Sequence, residues 1–156
     1  MRKVNLTVIL LLALFLVLNT IAFAKNPVEI VTPNAPAPLG DYSQGIRYGQ
    51  LLFTAGQIGI NPLTGTLPDG LYAQSVQVME NLKAILEEAQ LDFCDVVSTT
   101  VYLAPGVTSS DFTSVYGGYF IDKKGKPCPH FPARSTITAA GIPLGALVEV
   151  QMIAGK

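Results

Sequence analysis

LYAQSVQVMENLKAILEEAQ, residues Leu71 to Gln90, and VVSTTVYL, residues Val96 to Leu103, decide the fold class between them. In the first stretch Val78, Met79, Leu82, Ile85, Leu86 and Ala89 recur at helical spacing, while Glu80, Lys83, Glu87 and Glu88 fall off that stripe. A helix with one apolar face packs on one side of another layer. The second stretch is rich in β-branched residues, which suits a pleated, half-buried strand. A one-sided helix followed directly by such a strand points to a helix lying on a sheet.

Working outward, LLFTAGQIGI (Leu51 to Ile60) reads as a strand in which Gly56 and Gly59 permit a bulge or close backbone approach. Asn61 to Gly65 is a turn. Residues 25–45 carry Pro27, Pro33, Pro36 and Pro38 and are expected to lie as an extended arm over the surface. Beyond Leu103, Thr108 and Asp111 form a capping-box-like start to a second helix, with Asp in place of Glu. Phe112, Val115, Tyr116, Tyr119 and Phe120 form its apolar stripe, weakened at Gly117 and Gly118 by about 1 kcal/mol each relative to Ala. Residues 121–132 are a Lys/Gly/Pro loop. Ala133 to Ala140 and Ala146 to Ala154 are the last strands, hinged at Gly141 to Gly145. Strand pairs flanking two helical crossovers imply an α+β domain with a mixed sheet and both helices on one face. The other face would be bare, and a bare apolar face is usually covered by subunit association.

The chain has 156 residues, enough for one compact domain. Its composition, 49% hydrophobic and 13% charged, argues against disorder. Part of the apolar excess is N-terminal. Met1, Arg2 and Lys3 precede an apolar run from Val8 to Leu18, and Ala22-Phe23-Ala24 is a small-x-small cleavage pattern. That layout is a secretory signal peptide over residues 1–24, with the domain at 25–156 exported to the periplasm or medium. The run is short for a membrane span, which needs about 20 residues as a helix. Cleavage removes two of 10 basic residues and none of 11 acidic ones, leaving a net charge of −3. So acidic a domain offers no basic surface for nucleic acid. Lys123, Lys124 and Lys126 read as a solvated loop. Cys94 and Cys128 lack metal-type spacing and are expected as two free thiols, although an oxidising compartment would permit a bridge.

Dinucleotide-binding, phosphate-loop, nucleophile-elbow and zinc-protease motifs are absent. His130, the single histidine, lies in a proline-rich loop and reads as a solvated residue. Only Arg47 and Arg134 remain as arginines after residue 24. Arg134 opens an apolar strand, where a guanidinium needs a partner, and its planar fork suits a carboxylate. Glu149 is the only acid after Asp122 and is costly to bury unless paired. Two readings stand. Arg134 and Glu149 form a structural ion pair, or Arg134 holds a substrate carboxylate while Glu149 activates a water.

Further stretches bear on that choice. Asn34-Ala35-Pro36 precedes Gly40-Asp41-Tyr42-Ser43-Gln44-Gly45; Thr54-Ala55-Gly56-Gln57-Ile58, Phe131-Pro132-Ala133-Arg134-Ser135 and Val148-Glu149-Val150 follow. Asn81 to Leu86 and Val97 to Val101 lie between them. In order and spacing these resemble the RidA/YjgF family of imine-hydrolysing deaminases, over roughly residues 28–155. The resemblance implies a chorismate-mutase-like fold, a homotrimer with pockets at its subunit interfaces, and neither metal nor organic cofactor. It implies short-lived 2-enamino and 2-imino acids as substrates, hydrolysed to a 2-oxo acid and ammonia. Arg134 matches the family's carboxylate-binding arginine, Glu149 its water-activating glutamate, and Tyr42 a tyrosine lining the pocket. Ala55, Gly56, Tyr116 and Thr136 fall at substrate-binding positions. Ala55 stands where serine is common, Tyr116 where asparagine is common, and Thr136 where cysteine is common, its backbone N–H remaining able to serve a ligand. The bulkier Tyr116 is expected to narrow or reshape the pocket. A non-catalytic module holding small carboxylates, or an RNA-directed role known among some relatives, are the other functions such a chain could have.

The N-terminal segment makes a first testable statement. N-terminal sequencing of protein produced in its native host should read from Lys25, and a membrane-bound species that begins at Met1 would refute it.

Overall fold

The computed structural model describes residues 26–156, so residues 1–24, expected to be a signal peptide, lie outside the described residues. The strands are β1 (Val28–Ile30), β2 (Gly45–Tyr48), β3 (Leu51–Thr54), β4 (Gln57–Ile58), β5 (Val96–Leu103), β6 (Ala133–Thr138) and β7 (Val148–Gly155). The helices are α1 (Leu71–Glu88) and α2 (Ser109–Tyr116). All strands join one 7-stranded sheet in the order β1-β2-β3-β7-β5-β6, with β4 also on β7. The β5–β6 pair is parallel and every other pair antiparallel, so the sheet is mixed as expected.

Burial along β7 alternates strictly. Val148, Val150, Met152 and Ala154 are buried beneath the helices, while Glu149, Gln151 and Ile153 point to the other side. The core lies on the helix side, where the expected α1 stripe (Val78, Met79, Leu82, Ile85, Leu86, Ala89) meets Phe112 and Tyr116 of α2 and the inward residues of β5 and β7. Burying a side chain of this size is worth about 1.5–3 kcal/mol, so the stripe is the main force fixing α1 to the sheet. The opposite face is open and apolar in part, with Leu51, Phe53, Val97 and Ile137 exposed.

Buried amide side chains fasten the irregular segments. Asn81 on α1 donates to the carbonyls of Ile58 (3.0 Å) and Ile60 (2.8 Å). Gln74 donates to Pro68 O (3.1 Å) and accepts from Leu147 N (2.8 Å). Gly59 sits so close to Gln74 that a Cβ there would meet α1 backbone. Together these hold the chain after β3 against the N-terminal half of α1. Arg47 on β2 donates to Ala89 O, one of the carbonyls left without a helical partner at the α1 C-terminus.

The structure corrects several expectations. The segment 25–45 is not a surface arm throughout. It contributes β1, and Ile30, Thr32 and Ala35 are buried. The reason is Gln44, whose amide donates to the carbonyls of Thr32 (3.0 Å), Ala35 (3.1 Å) and Pro36 (2.9 Å) and accepts from Thr32 N (2.7 Å). The strand read over Leu51 to Ile60 breaks at Ala55-Gly56 into β3 and β4. At the start of α2, the Thr108 hydroxyl bonds the Asp111 carboxylate (2.7 Å) and makes no bond to the helix backbone.

The cysteines are not free. Cys94 and Cys128 form a disulfide with an S–S distance of 1.97 Å and Cα atoms 5.2 Å apart. The pairing arises because Cys94 sits in a 3-10 turn, capped by Asp92, at the entry to β5, and the loop leading to β6 folds back over it. Cys128 N donates to Phe120 O (3.0 Å), and Asp122 gathers the backbone N–H groups of Lys124 (2.8 Å) and Lys126 (2.9 Å). The bridge closes a loop of 34 residues holding β5 and α2. A cross-link of that span removes unfolded-state entropy worth about 3–4 kcal/mol. Replacing both cysteines by alanine should therefore lower the unfolding free energy by about 2–4 kcal/mol, and reductant should destabilise wild type but not that variant; denaturant titrations with and without reductant measure it.

Candidate active site

The two residues expected to carry chemistry are set by strand register, and they do not meet. In the antiparallel β5–β7 pair, Glu149 lies opposite Tyr102. Opposed residues share a face, and this is the open one. In the parallel β5–β6 pair, Arg134 lies opposite Thr99. Thr99 is buried under the helices, so Arg134 projects on the helix side, at the sheet's edge. Arg134 and Glu149 are thus on opposite faces, two strands and three residues apart along the sheet, about 14 Å between Cα positions by strand spacing. The ion-pair reading is excluded within one chain. Neither side chain forms a salt bridge among the described residues.

Glu149 is half-buried. Gly56 lies against it so closely that a Cβ at Gly56 would overlap the carboxylate. A larger residue at position 56 would push the Glu149 carboxylate aside. Ile58 faces Glu149 across the β4–β7 ladder, and Ile58, Ile60, Ile142 and Ala146 form a small apolar cluster with Tyr102 packed on it. Withdrawal from water raises the Glu149 pKa above the ordinary glutamate value of 4.5. A neighbouring cleft is lined by Pro36 to Leu39, Tyr42, Gln44, Gly56, Gln57, Ile58 and Ile60. Tyr42 is exposed at its mouth, and its hydroxyl accepts from Leu39 N (2.9 Å). Ala55 is half-buried and donates its N–H to Gln44 O (2.9 Å). Tyr42, Gly56 and Glu149 therefore form one corner, on the open side of the sheet.

Arg134 forms the other corner. It is exposed on edge strand β6, with Thr136 two residues along on the same side. Its Nη2 donates to Thr113 Oγ1 (3.3 Å), and its guanidinium carbon lies 4.8 Å from the centre of the Tyr116 ring. Ala139 N donates to Leu103 O across the β5–β6 ladder. Backbone groups alternate along a strand, so the N–H groups of Arg134 and Thr136 point out along the open edge. Tyr116 lies against the Arg134 side chain. It is buried in the core beneath Arg134, with its hydroxyl on Thr99 Oγ1 (3.2 Å), and does not line the Tyr42 cleft. His130 is exposed in its loop, and no cluster among the described residues could hold a metal ion.

A cleft of about 490 Å³ lies elsewhere, between α1 and the segment Gly118 to Lys123, and contains none of the expected site residues. Sequence reasoning missed Gln44, Asn81 and Gln74, the buried amides that shape the Glu149 corner. The available signals were the presence of Gln44 and Asn81 in the stretches that carry the family resemblance and, for Gln74, its polar character beside an apolar helix stripe.

Comparison with known proteins identifies the family and the fold. The family described as Endoribonuclease L-PSP matches residues 32–156. A RutC family protein of Aquifex aeolicus is 41% identical over 128 residues, 82% of this chain and 98% of that protein. The 2-iminobutanoate/2-iminopropanoate deaminase of Escherichia coli K12 is 38% identical over 125 residues, 80% of this chain and 94% of that protein. The crystal structure of the E. coli YjgF gene product superposes with a TM-score of 0.75 at 36% identity, covering 83% of this chain and 98% of the other. With the fold, the motif order and these relatives in agreement, the chain belongs to the RidA/YjgF family, described as Endoribonuclease L-PSP.

Proposed function

We propose that the protein is a hydrolytic deaminase of reactive 2-imino and 2-enamino acids, acting as an exported homotrimer without metal or organic cofactor. The observation that carries this reading is the separation of Arg134 and Glu149. Each is an incomplete half-site, one at the sheet edge and one on the open face. The edge strand of one copy laid against the apolar open face of the next (Leu51, Phe53, Val97, Ile137) would bring a guanidinium to a carboxylate corner and bury the exposed apolar side chains. The name of the E. coli deaminase, 38% identical to this chain, supports the reaction class. The disulfide supports export, since such bridges persist in oxidising compartments.

In this reading Arg134 binds the substrate carboxylate through its fork and so orients C2. Glu149, its basicity increased by burial, takes a proton from a water that attacks C2 of the imine. The C–O bond forms as the C=N electron pair moves to nitrogen, which takes the proton accepted by Glu149, and the carboxylate then carries the adduct's hydroxyl proton to the same nitrogen. The tetrahedral adduct then expels ammonia and leaves the 2-oxo acid. Tyr42 closes the outer wall of the corner, and the outward N–H of Thr136 is a donor for the carboxylate. An RNA-directed role, which the family's description suggests, has little support from a domain of net charge −3 after residue 24.

Imines made in situ by an L-amino-acid oxidase and trapped with semicarbazide provide the test. Purified protein should divert imine from the trap and leave RNA intact; RNA cleavage with no effect on the trap would reverse the assignment. Light scattering should give three times the monomer mass, and a stable monomer at micromolar concentration would remove the interface site. R134A should abolish binding of 2-oxobutanoate, with R134K a poor rescue because an ammonium lacks the fork. E149Q should keep binding and lose about 10²–10⁴-fold in turnover.

The raised Glu149 pKa adds a pH dependence with a definite sign. The folded state binds this proton more tightly than the unfolded chain does. The associated stability is therefore present below 4.5 and is lost as pH rises through the raised folded value. E149Q, which cannot ionise, should gain melting temperature relative to wild type on going from pH 4 to pH 7. Wild-type turnover should fall on the acid side starting above 4.5, as the base is protonated. A structural ion pair would give the opposite stability trend.

A further inference from the structure

We propose that Tyr116 is the positioning residue for Arg134, its ring face holding the guanidinium in place while the N–H edge stays open for the ligand carboxylate. This rests on the reading of Arg134 as the carboxylate anchor.

An exposed arginine on an edge strand has many rotamers, and an anchor must be held in one of them. An acidic neighbour would hold it but would occupy the fork that the ligand needs. Among the described residues Arg134 forms no salt bridge. Its restraints are the Tyr116 ring, 4.8 Å from the guanidinium carbon to the ring centre, and one hydrogen bond from Nη2 to Thr113 Oγ1 (3.3 Å). A cation over an aromatic face is attracted by the ring's quadrupole and keeps its in-plane donors free. That division of labour leaves most of the N–H fork unoccupied.

The ring is itself immobile. Tyr116 is only 3% exposed, its hydroxyl bonds Thr99 Oγ1 (3.2 Å), and its ring packs on Phe112 (5.4 Å between centroids) and Phe120 (4.7 Å). Thr99 is the register partner of Arg134 on β5, so one rung of the ladder sets both the base of the arginine and the tilt of its platform. Phe120 also packs on Phe131 (5.3 Å), three residues before Arg134, which ties the entry of β6 to the same aromatic group. Because its hydroxyl is turned inward, Tyr116 has no donor to offer a ligand. Its ring carries the role, and phenylalanine can supply it.

The experiment is calorimetric titration of the full chain with 2-oxobutanoate, on wild type, R134A, Y116L and Y116F. Y116L fills the core without an aromatic face and should weaken binding by about 2- to 30-fold, the range of cation–π attraction. Y116F should recover most of that loss although it lacks the Thr99 bond. In turnover the defect of Y116L should appear in KM more than in kcat. Proton–nitrogen NMR of the arginine Nε–H groups gives a second readout. The Arg134 signal, identified by its loss in R134A, should shift and broaden in Y116L and recover in Y116F. Equal affinity in folded Y116L and wild type would overturn the proposal and leave Tyr116 as core filling. Equal loss in Y116F and Y116L would overturn it too, by assigning the effect to the hydroxyl. If R134A binds as wild type does, the anchor reading itself falls, an outcome the R134A arm separates from failure of Tyr116 alone. Should Y116L not fold, Y116M takes its place under the same criteria.

Discussion

The strict alternation of β7 between a helix-covered face and an open one governs the rest of the molecule. Helices lie on one side only, so every second side chain of β7 must face away from the core. Glu149 is therefore committed to the open side, and no local adjustment short of a register slip could bring it inward. The same alternation, carried across β5 into a parallel pair, commits Arg134 to the helix side. Arg134 and Glu149 are held apart because one sheet has two faces.

The irregular segments are shaped by amide side chains in place of regular pairing. Gln44 holds the proline-rich stretch after β1, Asn81 holds β4, and Gln74 holds both the turn before α1 and the start of β7. An unmade hydrogen bond at a buried amide costs about 1–3 kcal/mol, so each clamp strongly prefers one backbone path. That rigidity is what lets Gly56 lie against the Glu149 carboxylate. The two arginines of the described residues divide similarly. Arg47 serves the end of α1, and Arg134 remains at the surface.

The parts legible in the sequence are those set by local periodicity. The α1 stripe and the β5 and β7 strands follow from residue types at short range, whereas the chemical roles of Arg134 and Glu149 came from the family resemblance. The parts that were not legible depend on distant partners. Residues 25–45 looked like a surface arm because their proline content does not show that Gln44, at the end of the same segment, draws Thr32 and Ala35 inward. Cys94 and Cys128 looked like separate thiols because only the folded loop brings their Cα atoms within 5.2 Å. The face of Arg134 required the β5–β6 register. Tyr116, an aromatic in a helix stripe, gave no sign that a cation lies on it.

One feature of the topology bears on how the chain acquires its structure. β7 comes after all the other strands in chain order, yet it sits in the middle of the sheet, between β3 and β5. Until it arrives, the β1–β2–β3 meander and the β5–β6 pair have no shared partner, and both expose unpaired backbone edges. Such edges recruit other chains. Early products of synthesis would thus be two adhesive half-sheets, and closure would be a late, cooperative event with high contact order and a correspondingly slow rate. A nascent chain of this kind gains from being kept extended until its final strand is free to insert.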